Sequence, residues 1–292
     1  MKRIEVLKTY KIFIGGKFPR TESGRFYKAL NKHGEPIANI CKSSRKDIRN
    51  AVVAARKAQG AWNERTAFNR GQILYRIAEM LEARRSQFIE EMVLQDCSSK
   101  AAHQEVDACI DRIVYYAGWC DKFNQVASSV NAVSSSHFNF SSYEPTGVVG
   151  VAATEDSCLM GLISMLLPVL AGGNSCVAIA SNKNPLCAVT FAEVLHASDV
   201  PSGVVNIVTG ITEELLLPLA SHMDVNAIAL AQGVSYLKDV QIAAVDNLKR
   251  IRTFDKDSRG QLFQGIHCII DFQELKTTWH PIEKIGGASN SY

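Results

Sequence analysis

YEPTGVVG at residues 143–150 and PSGVVNIVTG at residues 201–210 are the two stretches that decide the fold of this chain. In each stretch, a turn that contains proline and glycine leads into a short and nearly continuous apolar run. Such runs are typical of strands that are buried on both faces of a parallel sheet. The sequence on either side of these stretches supports the same interpretation.

Strands and helices alternate through the second half of the chain. The predicted strands cover residues 148–153, 176–180, 204–208 and 225–231. The helices predicted after them cover residues 157–171, 185–197, 212–219 and 235–247. This alternation predicts an α/β fold with a doubly wound parallel sheet, in which ligands bind at the carboxyl ends of the strands.

The first half of the chain has a different pattern. Gly15 and Gly16 lie between two short apolar runs and indicate a hairpin. Further short strands are predicted at residues 26–30, 36–41 and 138–143. Apolar residues with a 3.6-residue period predict three amphipathic helices, at residues 45–62, 67–94 and 102–126.

Composition and charge exclude several classes of function. The 292 residues are 47% hydrophobic and 21% charged, and the net charge of +3 is spread along the helices, so nucleic-acid binding is not expected. No apolar run reaches the ~18–20 residues that a membrane span needs. The first residues lack the apolar core of a signal peptide, and we expect a cytoplasmic protein.

The eight cysteines show neither a metal-binding nor a disulfide pattern. None forms a C-x-x-C pair, and no histidine lies at zinc-ligand spacing from a cysteine pair. Their positions in apolar segments favour reduced, buried thiols, and no metal site is predicted. The cysteines are Cys41, Cys97, Cys109, Cys120, Cys158, Cys176, Cys187 and Cys268.

The order and spacing of six motifs resemble the cofactor half of the aldehyde dehydrogenase superfamily. The motifs are FIGGK (13–17), AVVAARKA (51–58), RGQILYRIA (70–78), YEPTGVVG (143–150), PVLAGGNS (168–175) and PSGVVNIVTG (201–210). The chain looks most like the degenerate second module of aldehyde dehydrogenase family 16 and short bacterial proteins similar to that module. The resemblance implies that residues 1–250 form N-terminal strands and helices followed by a Rossmann-like sheet.

The resemblance also implies a division of the remaining residues. No candidate catalytic half follows the cofactor half, so residues 251–265 are interpreted as a connector that replaces the catalytic domain. Residues 266–292 are interpreted as an oligomerisation strand and a tail, because residues 274–279 (ELKTTW) are similar to a strand that aldehyde dehydrogenases exchange between subunits. An open strand edge seeks a partner, and the alternative is a private edge strand folded back on its own sheet.

The turn after the first predicted strand departs from the family's pattern. The family has T-P-W-N-[FY]-P there, whereas residues 153–158 read ATEDSC, which places Asp156 where an asparagine helps to hold the oxyanion. A carboxylate repels a developing negative charge and cannot donate a hydrogen bond unless it is protonated. The adjacent Glu155 and Asp156 are interpreted as a solvated turn and helix N-cap. Thr154 and Asp156 remain candidates for a vestigial cofactor contact.

The turns after the second and fourth strands have also lost contacts that the family makes. The family's K-P-S-E segment holds the adenosine ribose, and here residues 179–182 read IASN. The family's F-T-G-S turn faces the pyrophosphate, and here residues 230–234 read LAQGV. Ser181, Lys183 and Gly233 are the remaining candidate contacts, and we expect NAD(P) binding to be weak or absent.

No catalytic residue is assigned in this chain. It contains no E-L-G-G-K segment to supply the general base and no G-Q-x-C segment to supply the thiolate nucleophile. Cys268, between His267 and Ile269, resembles a strand interior more than a nucleophile turn. Cys158 is interpreted as filling the place of the family's proline.

These observations predict a catalytically inactive aldehyde-dehydrogenase-like subunit. It is expected to assemble with itself or with a full-length aldehyde dehydrogenase, and to bind neither nucleic acid nor a membrane. Two alternatives remain open. One is a subunit that retains some NAD(P) binding and contributes to an aldehyde oxidation site completed by a partner, and the other is a purely structural interaction module.

Overall fold

The computed structural model of the protein describes residues 6–254 and 264–282. The strands are β1 (Thr9–Tyr10), β2 (Phe26–Leu30), β3 (Pro36–Cys41), β4 (Ser129–Asn131), β5 (His137–Pro145), β6 (Val148–Ala152), β7 (Ser175–Ile179), β8 (Val205–Val208), β9 (Ala227–Ala231), β10 (Arg250–Phe254) and β11 (Gln273–Pro281). The helices are α1 (Arg45–Asn63), α2 (Ala67–Ala83), α3 (Arg85–Leu94), α4 (Ser99–Trp119), α5 (Phe123–Ala127), α6 (Met160–Ala171), α7 (Leu186–His196), α8 (Thr212–Ala220), α9 (Leu237–Ala243) and α10 (Ile266–Ile270).

A parallel sheet of five strands, in the order β10-β9-β6-β7-β8, lies at the centre of the fold. Every residue of β6, β7 and β8 is buried. Successive side chains of a strand point to opposite faces, so Val149 and Val151 pack in one core cluster with α2, α4 and α6. Val148 and Ala152 pack in a second cluster with α1 and α8. The predicted α/β sheet with two covered faces is therefore confirmed.

The sequence patterns do not predict the fifth strand, β10. It pairs in parallel with β9 from Arg250 to Phe254, at the edge of the sheet. Arg252 and Thr253 are exposed there, so the segment lacks the continuous apolar run that marks the inner strands. The connector expected at residues 251–265 thus begins inside a strand, and residues 255–263 lie outside the described part of the chain.

Two of the predicted helices are divided in the structure. The helix expected at residues 67–94 is interrupted at Arg84, whose φ of −107° and ψ of 14° end α2 before α3 begins. The helix expected at residues 102–126 starts earlier, where the Ser98 side chain accepts a hydrogen bond from the N–H of Ala101 at 3.2 Å, and it stops at Trp119 before the short α5. The apolar stripe continues across both breaks, so periodicity alone did not locate them.

The N-terminal hairpin and the predicted strands β2 and β3 are confirmed. The N–H of Ile14 donates to the carbonyl of Lys17 at 3.0 Å, and the turn residues Gly15 and Gly16 have φ of 59° and 75°. A side chain is disfavoured in this left-handed region, which explains the two glycines. Strands β1, β3 and β2 form a separate three-stranded sheet.

The third sheet has the order β11-β5-β4, and it contains the predicted tail strand. The tail strand β11 pairs antiparallel with β5, which is far from it in the sequence, along nine residues, from Gln273–Pro145 to Pro281–His137. No described strand pairs with the other edge of β11. The segment interpreted as an oligomerisation strand and a tail begins with a short helix, α10, at Ile266–Ile270. Within the described residues, no helix has the length and apolar character of a membrane span.

Candidate functional site

The first predicted turn of the site follows β6 at the carboxyl edge of the central sheet. Thr154 is buried there, and its hydroxyl donates a hydrogen bond to the carboxylate of the exposed Asp156. Helix α6 begins at Met160 rather than at the predicted residue 157. Asp156 is thus held in the turn as an acceptor, as the sequence reasoning requires of a carboxylate.

A buried carboxylate, which the sequence patterns did not predict, caps the start of α6. Glu105, on α4, is only 3% exposed. Its Oε1 accepts hydrogen bonds from the N–H groups of Cys158, Leu159 and Met160 at 2.9, 2.7 and 3.1 Å. These are the N–H groups that a helix N-terminus leaves without an intrahelical acceptor, and here a carboxyl oxygen of the chain itself accepts from them. The only signal in the sequence is a glutamate within the apolar stripe of α4.

Glu155 plays a similar part in the turn after β7, where its carboxylate accepts hydrogen bonds from the donors of the turn. Its Oε2 accepts hydrogen bonds from the Ser181 hydroxyl at 2.6 Å and from the N–H of Lys183 at 2.9 Å. Its Oε1 accepts the N–H of Asn182 at 2.9 Å, and the Thr212 hydroxyl lies 3.5 Å away at the start of α8. The interpretation of Glu155 as a solvated turn residue is therefore wrong, because its carboxylate joins two turns of the sheet edge.

The five candidate cofactor residues lie at the same edge of the sheet, but they differ in burial and in hydrogen bonding. Ser181 is buried and bonded to Glu155, whereas the Lys183 side chain is exposed and only its N–H is engaged. Gly233 is exposed in the turn after β9, with φ of 71°, ahead of the short α9. Thr154 and Asp156 are bonded to each other. The helix predicted over residues 235–247 is reduced to the seven residues of α9 and a 3₁₀ turn.

The negative charge of Glu155 acts on two nearby phenols. Burial raises the pKa of Tyr27 far above its usual range, and the charge of Glu155 adds to the rise. Burial also raises the pKa of Tyr236, with Glu155 and Glu213 as further causes. Both phenols are therefore neutral at ordinary pH and can act as hydrogen-bond donors.

Hydrogen-bond donors of the turn after β7 are engaged by Glu155 in this structure. The N–H groups of Asn182 and Lys183 and the Ser181 hydroxyl are bonded to Glu155, so they are not free for ribose hydroxyls. The turns after β6 and β7 are thus arranged around carboxylates of the chain itself.

Most of the cysteines are buried, and burial raises the pKa of several of their thiols. None of the eight, all of which lie in the described residues, takes part in a disulfide bond, and all but Cys97 are buried. Burial raises the pKa of Cys268 to about 11 and that of Cys120 to about 12, which keeps both thiols protonated near neutral pH. Cys268 lies in a helix, so the expectation of a strand interior is corrected. No cluster of metal-ligating side chains was found among the described residues.

Comparison with known proteins gives a single family. The chain matches the model of the aldehyde dehydrogenase family over residues 19–253. It is 29% identical over 257 residues to the putative aldehyde dehydrogenase DhaS of Bacillus subtilis (strain 168), a match that covers 86% of this chain and 51% of that protein. It is 30% identical over 258 residues to cytosolic 10-formyltetrahydrofolate dehydrogenase of Mus musculus, a match that covers 86% of this chain and 29% of that protein.

Solved structures agree with the sequence relatives. The NAD+ complex of an aldehyde dehydrogenase from Bacillus cereus has a TM-score of 0.79 at 26% identity, covering 84% of this chain and 50% of that one. PnpE in complex with nicotinamide adenine dinucleotide has a TM-score of 0.79 at 27% identity, covering 83% of this chain and 50% of that one. The chain spans about half the length, or less, of the relatives it matches.

Proposed function

Because this chain belongs to the aldehyde dehydrogenase family, we propose that it acts as a non-catalytic subunit that assembles with itself or with a full-length aldehyde dehydrogenase and supports it. The observation that carries the proposal is the exposure of β11. Seven of its nine residues are exposed, and Leu275 and Trp279 keep 57% and 56% of their surface open. An exposed edge strand with large apolar side chains favours pairing with another chain.

The geometry of β11 suits a symmetric pair as well as a mixed one. β5 takes one edge of β11 along its whole length. A second copy related by a two-fold axis would satisfy the other edge of both strands at once. A full-length relative with the same strand would offer the same edge. Eight cysteines that form no disulfide bond favour a reducing compartment, and we propose the cytoplasm as the place of action.

The closed turns at the sheet edge support the non-catalytic part of the proposal. We propose that NAD(P) binding by this chain is weak or absent, and that the chain alone does not oxidise aldehydes. The alternative, a subunit with residual NAD(P) binding, is favoured by relatives whose structures are described with NAD bound. A purely structural interaction module remains the third candidate.

Calorimetric titration with NAD separates the residual NAD(P)-binding subunit from the other two candidates. Ile179 and Asn182 cannot make the charged contacts of the family's lysine and glutamate, and each lost contact costs about 0.5–1.5 kcal/mol or more. We expect binding about ten- to hundred-fold weaker than that of a full-length relative measured alongside. Micromolar binding, or NADH production from an aldehyde by this chain alone, would favour the residual NAD(P)-binding subunit instead.

Light scattering tests the assembly itself. The purified chain is measured alone and after mixing with the full-length Bacillus subtilis relative. We expect a mass of at least two chains in the first sample, or a mixed complex in the second. A monomer whose mass is the same in both samples would contradict the proposal and leave β11 as a private edge strand.

A further inference from the structure

A wide groove lies between the first half of α2 and the end of α4, and residues 199–202, which precede β8, complete its lining. The two helices approach closely inside it, because a Cβ atom on Gly71 would lie 3.0 Å from the carbonyl oxygen of Ala117. The volume of the groove is about 1210 Å³, which exceeds that of a typical pocket for one small molecule. We call this surface the α2–α4 groove.

Three large side chains with apolar surface line the α2–α4 groove and stay uncovered. Phe68 keeps 66% of its surface exposed, Tyr75 keeps 52% and Val114 keeps 40%. Other apolar side chains of the same helices, such as Ile73 and Ile113, are buried in the core. Exposed apolar side chains that gather in one concave surface are typical of an interaction site.

The α2–α4 groove also carries one cation and one anion that have no charged partner. The Arg65 guanidinium donates to the side-chain oxygen of Asn69 at 2.7 Å, and it forms no ion pair among the described residues. Asp199 is exposed, and its carboxylate accepts no hydrogen bond and forms no ion pair in the part of the chain that the structure describes. The four other charged side chains of the lining form two ion pairs with one another.

A second copy of this chain fits both features of the groove. In an interface with two-fold symmetry, a contact from residue i of one copy to residue j of the other is always repeated from j to i. One unpaired cation and one unpaired anion on the same surface therefore give two opposite-charge pairs in a symmetric pair of copies. The lining holds three cations and three anions, so the two surfaces would meet without net repulsion.

We propose that the α2–α4 groove is an interface between two copies of this chain, in which Arg65 of each copy pairs with Asp199 of the other. The exposed side chains of Phe68 and Tyr75 would lose their contact with water in this pair, which is the main source of its stability. The contact uses a surface other than β11. It therefore stands or fails separately from the assembly through β11 that is proposed above.

The test uses two charge reversals, which are measured alone and in a mixture. Arg65→Glu places an anion opposite Asp199, and Asp199→Lys places a cation opposite Arg65, so each variant alone should have a dissociation constant at least about ten-fold above that of the wild-type groove. A mixed dimer has two pairs of opposite charge and should form with about the wild-type affinity. Sedimentation velocity gives the constants, and native mass spectrometry identifies the mixed dimer. Every chain carries Thr277→Pro, which disturbs pairing along β11 equally in all samples.

The apolar part of the interface is tested by Phe68→Ser, which should raise the dissociation constant about ten-fold or more. The matched control is Phe26→Ser, because Phe26 on β2 is 59% exposed and lies outside the groove. Arg20→Glu makes the same charge change as Arg65→Glu at an exposed position elsewhere. Both controls should leave the dissociation constant unchanged, and an equal loss in either would reduce the effect to general surface properties and overturn the proposal.

A second variant guards against a folding defect at Asp199. Its φ is 61°, a conformation that aspartate and asparagine adopt more readily than lysine. Asp199→Asn therefore keeps the backbone and removes only the charge, and it should weaken the dimer as well. Circular dichroism checks that each variant is folded.

Three results would overturn the proposal. One is that the Thr277→Pro chain is a monomer at every concentration, or that Arg65→Glu and Phe68→Ser dimerise as it does. Another is that the mixture of the two charge reversals associates no more tightly than either variant alone. The third is that this chain stays a monomer but forms a mixed complex with the full-length Bacillus subtilis relative that Phe68→Ser abolishes, which would assign the groove to that relative. Assembly that is lost with Thr277→Pro alone would remove this interface and leave the proposal for β11 in place.

Discussion

At the carboxyl edge of the central sheet, backbone N–H groups from two turns end on the carboxylates of Glu105 and Glu155. Along the free edge of β11, in contrast, the exposed Leu275 and Trp279 leave more than half of their surface uncovered. The first region meets its hydrogen-bonding needs with groups of the same chain. The second is open to another chain. Both regions contain backbone groups that secondary structure within the chain does not pair: the N–H groups of the turns, and the groups along the outer edge of β11.

The difference indicates where this chain can still interact. Backbone donors of the turns after β6 and β7 are engaged by Glu105 and Glu155 in this structure. An edge strand needs only its own backbone and the side chains of one face. Variants of either region test this difference, and we expect the sizes of their effects to differ strongly.

The largest effect is expected at the buried carboxylate of the closed region. Glu105→Ala removes the acceptor of three N–H groups at the start of α6 and leaves them buried, so the free energy of unfolding should fall by about 3 kcal/mol. Glu105→Gln keeps an acceptor oxygen and should cost less. Urea unfolding measures both, with the exposed Glu90→Ala on α3 as the control. A loss below about 0.5 kcal/mol would mean that water caps α6.

The buried thiol of Cys268 should react slowly with an alkylating reagent near neutral pH. Burial raises the pKa of Cys268 to about 11, so the thiolate is scarce at pH 8 and its population rises only as the pH approaches that value. With two pKa units of difference, alkylation of Cys268 at pH 8 should be about a hundred-fold slower than that of an ordinary thiol. The partly exposed Cys97 is the internal reference, read out by mass spectrometry. Equal alkylation of both cysteines at pH 8 would show that Cys268 is accessible and ionised.

The sequence was sufficient for the inner strands and insufficient for the site. Strands β6, β7 and β8 are buried on both faces, so their apolar runs are visible in any short window. Strand β10 lies at the edge with exposed Arg252, and its pattern resembles a connector. Local sequence pattern also does not show which distant residues a side chain will bond to in the folded chain. Glu105 bonds residues 53 to 55 positions away, and this pairing depends on how α4 packs against α6.

Sequence reasoning also misjudged which of two adjacent carboxylates matters. Asp156 attracted attention because of its position in a family motif, whereas Glu155 makes the contacts that join the turns after β6 and β7. Adjacent residues in a turn point in different directions, and nothing in the local sequence indicates which one reaches a second turn 26 residues away. Only the arrangement of β6 next to β7 in the sheet brings them together.

In the open region, Thr277→Pro should weaken assembly more than it weakens the fold. Proline cannot donate to a strand ladder and disturbs regular pairing, so the dissociation constant of the complex should rise about ten-fold or more. Thr277→Val keeps the strand and removes only the hydroxyl contact with Ser141 at 2.8 Å, which makes it the control. Sedimentation velocity over a range of concentrations gives both constants. If Thr277→Pro assembles as wild type does, β11 does not carry the contact.

The smallest effect is expected for a charge pair on the same sheet. The Lys276 ammonium lies 2.9 Å from the Glu144 carboxylate, but the two side chains are 60% and 51% exposed. Water already solvates both charges, so Lys276→Ala should lower the free energy of unfolding by about 0.5 kcal/mol or less, and salt should reduce even that difference. Urea unfolding at low and high salt measures it, with Lys276→Gln to keep the length of the side chain. A loss as large as that of Glu105→Ala would require the pair to be shielded from water, which happens if a second chain covers this sheet in solution.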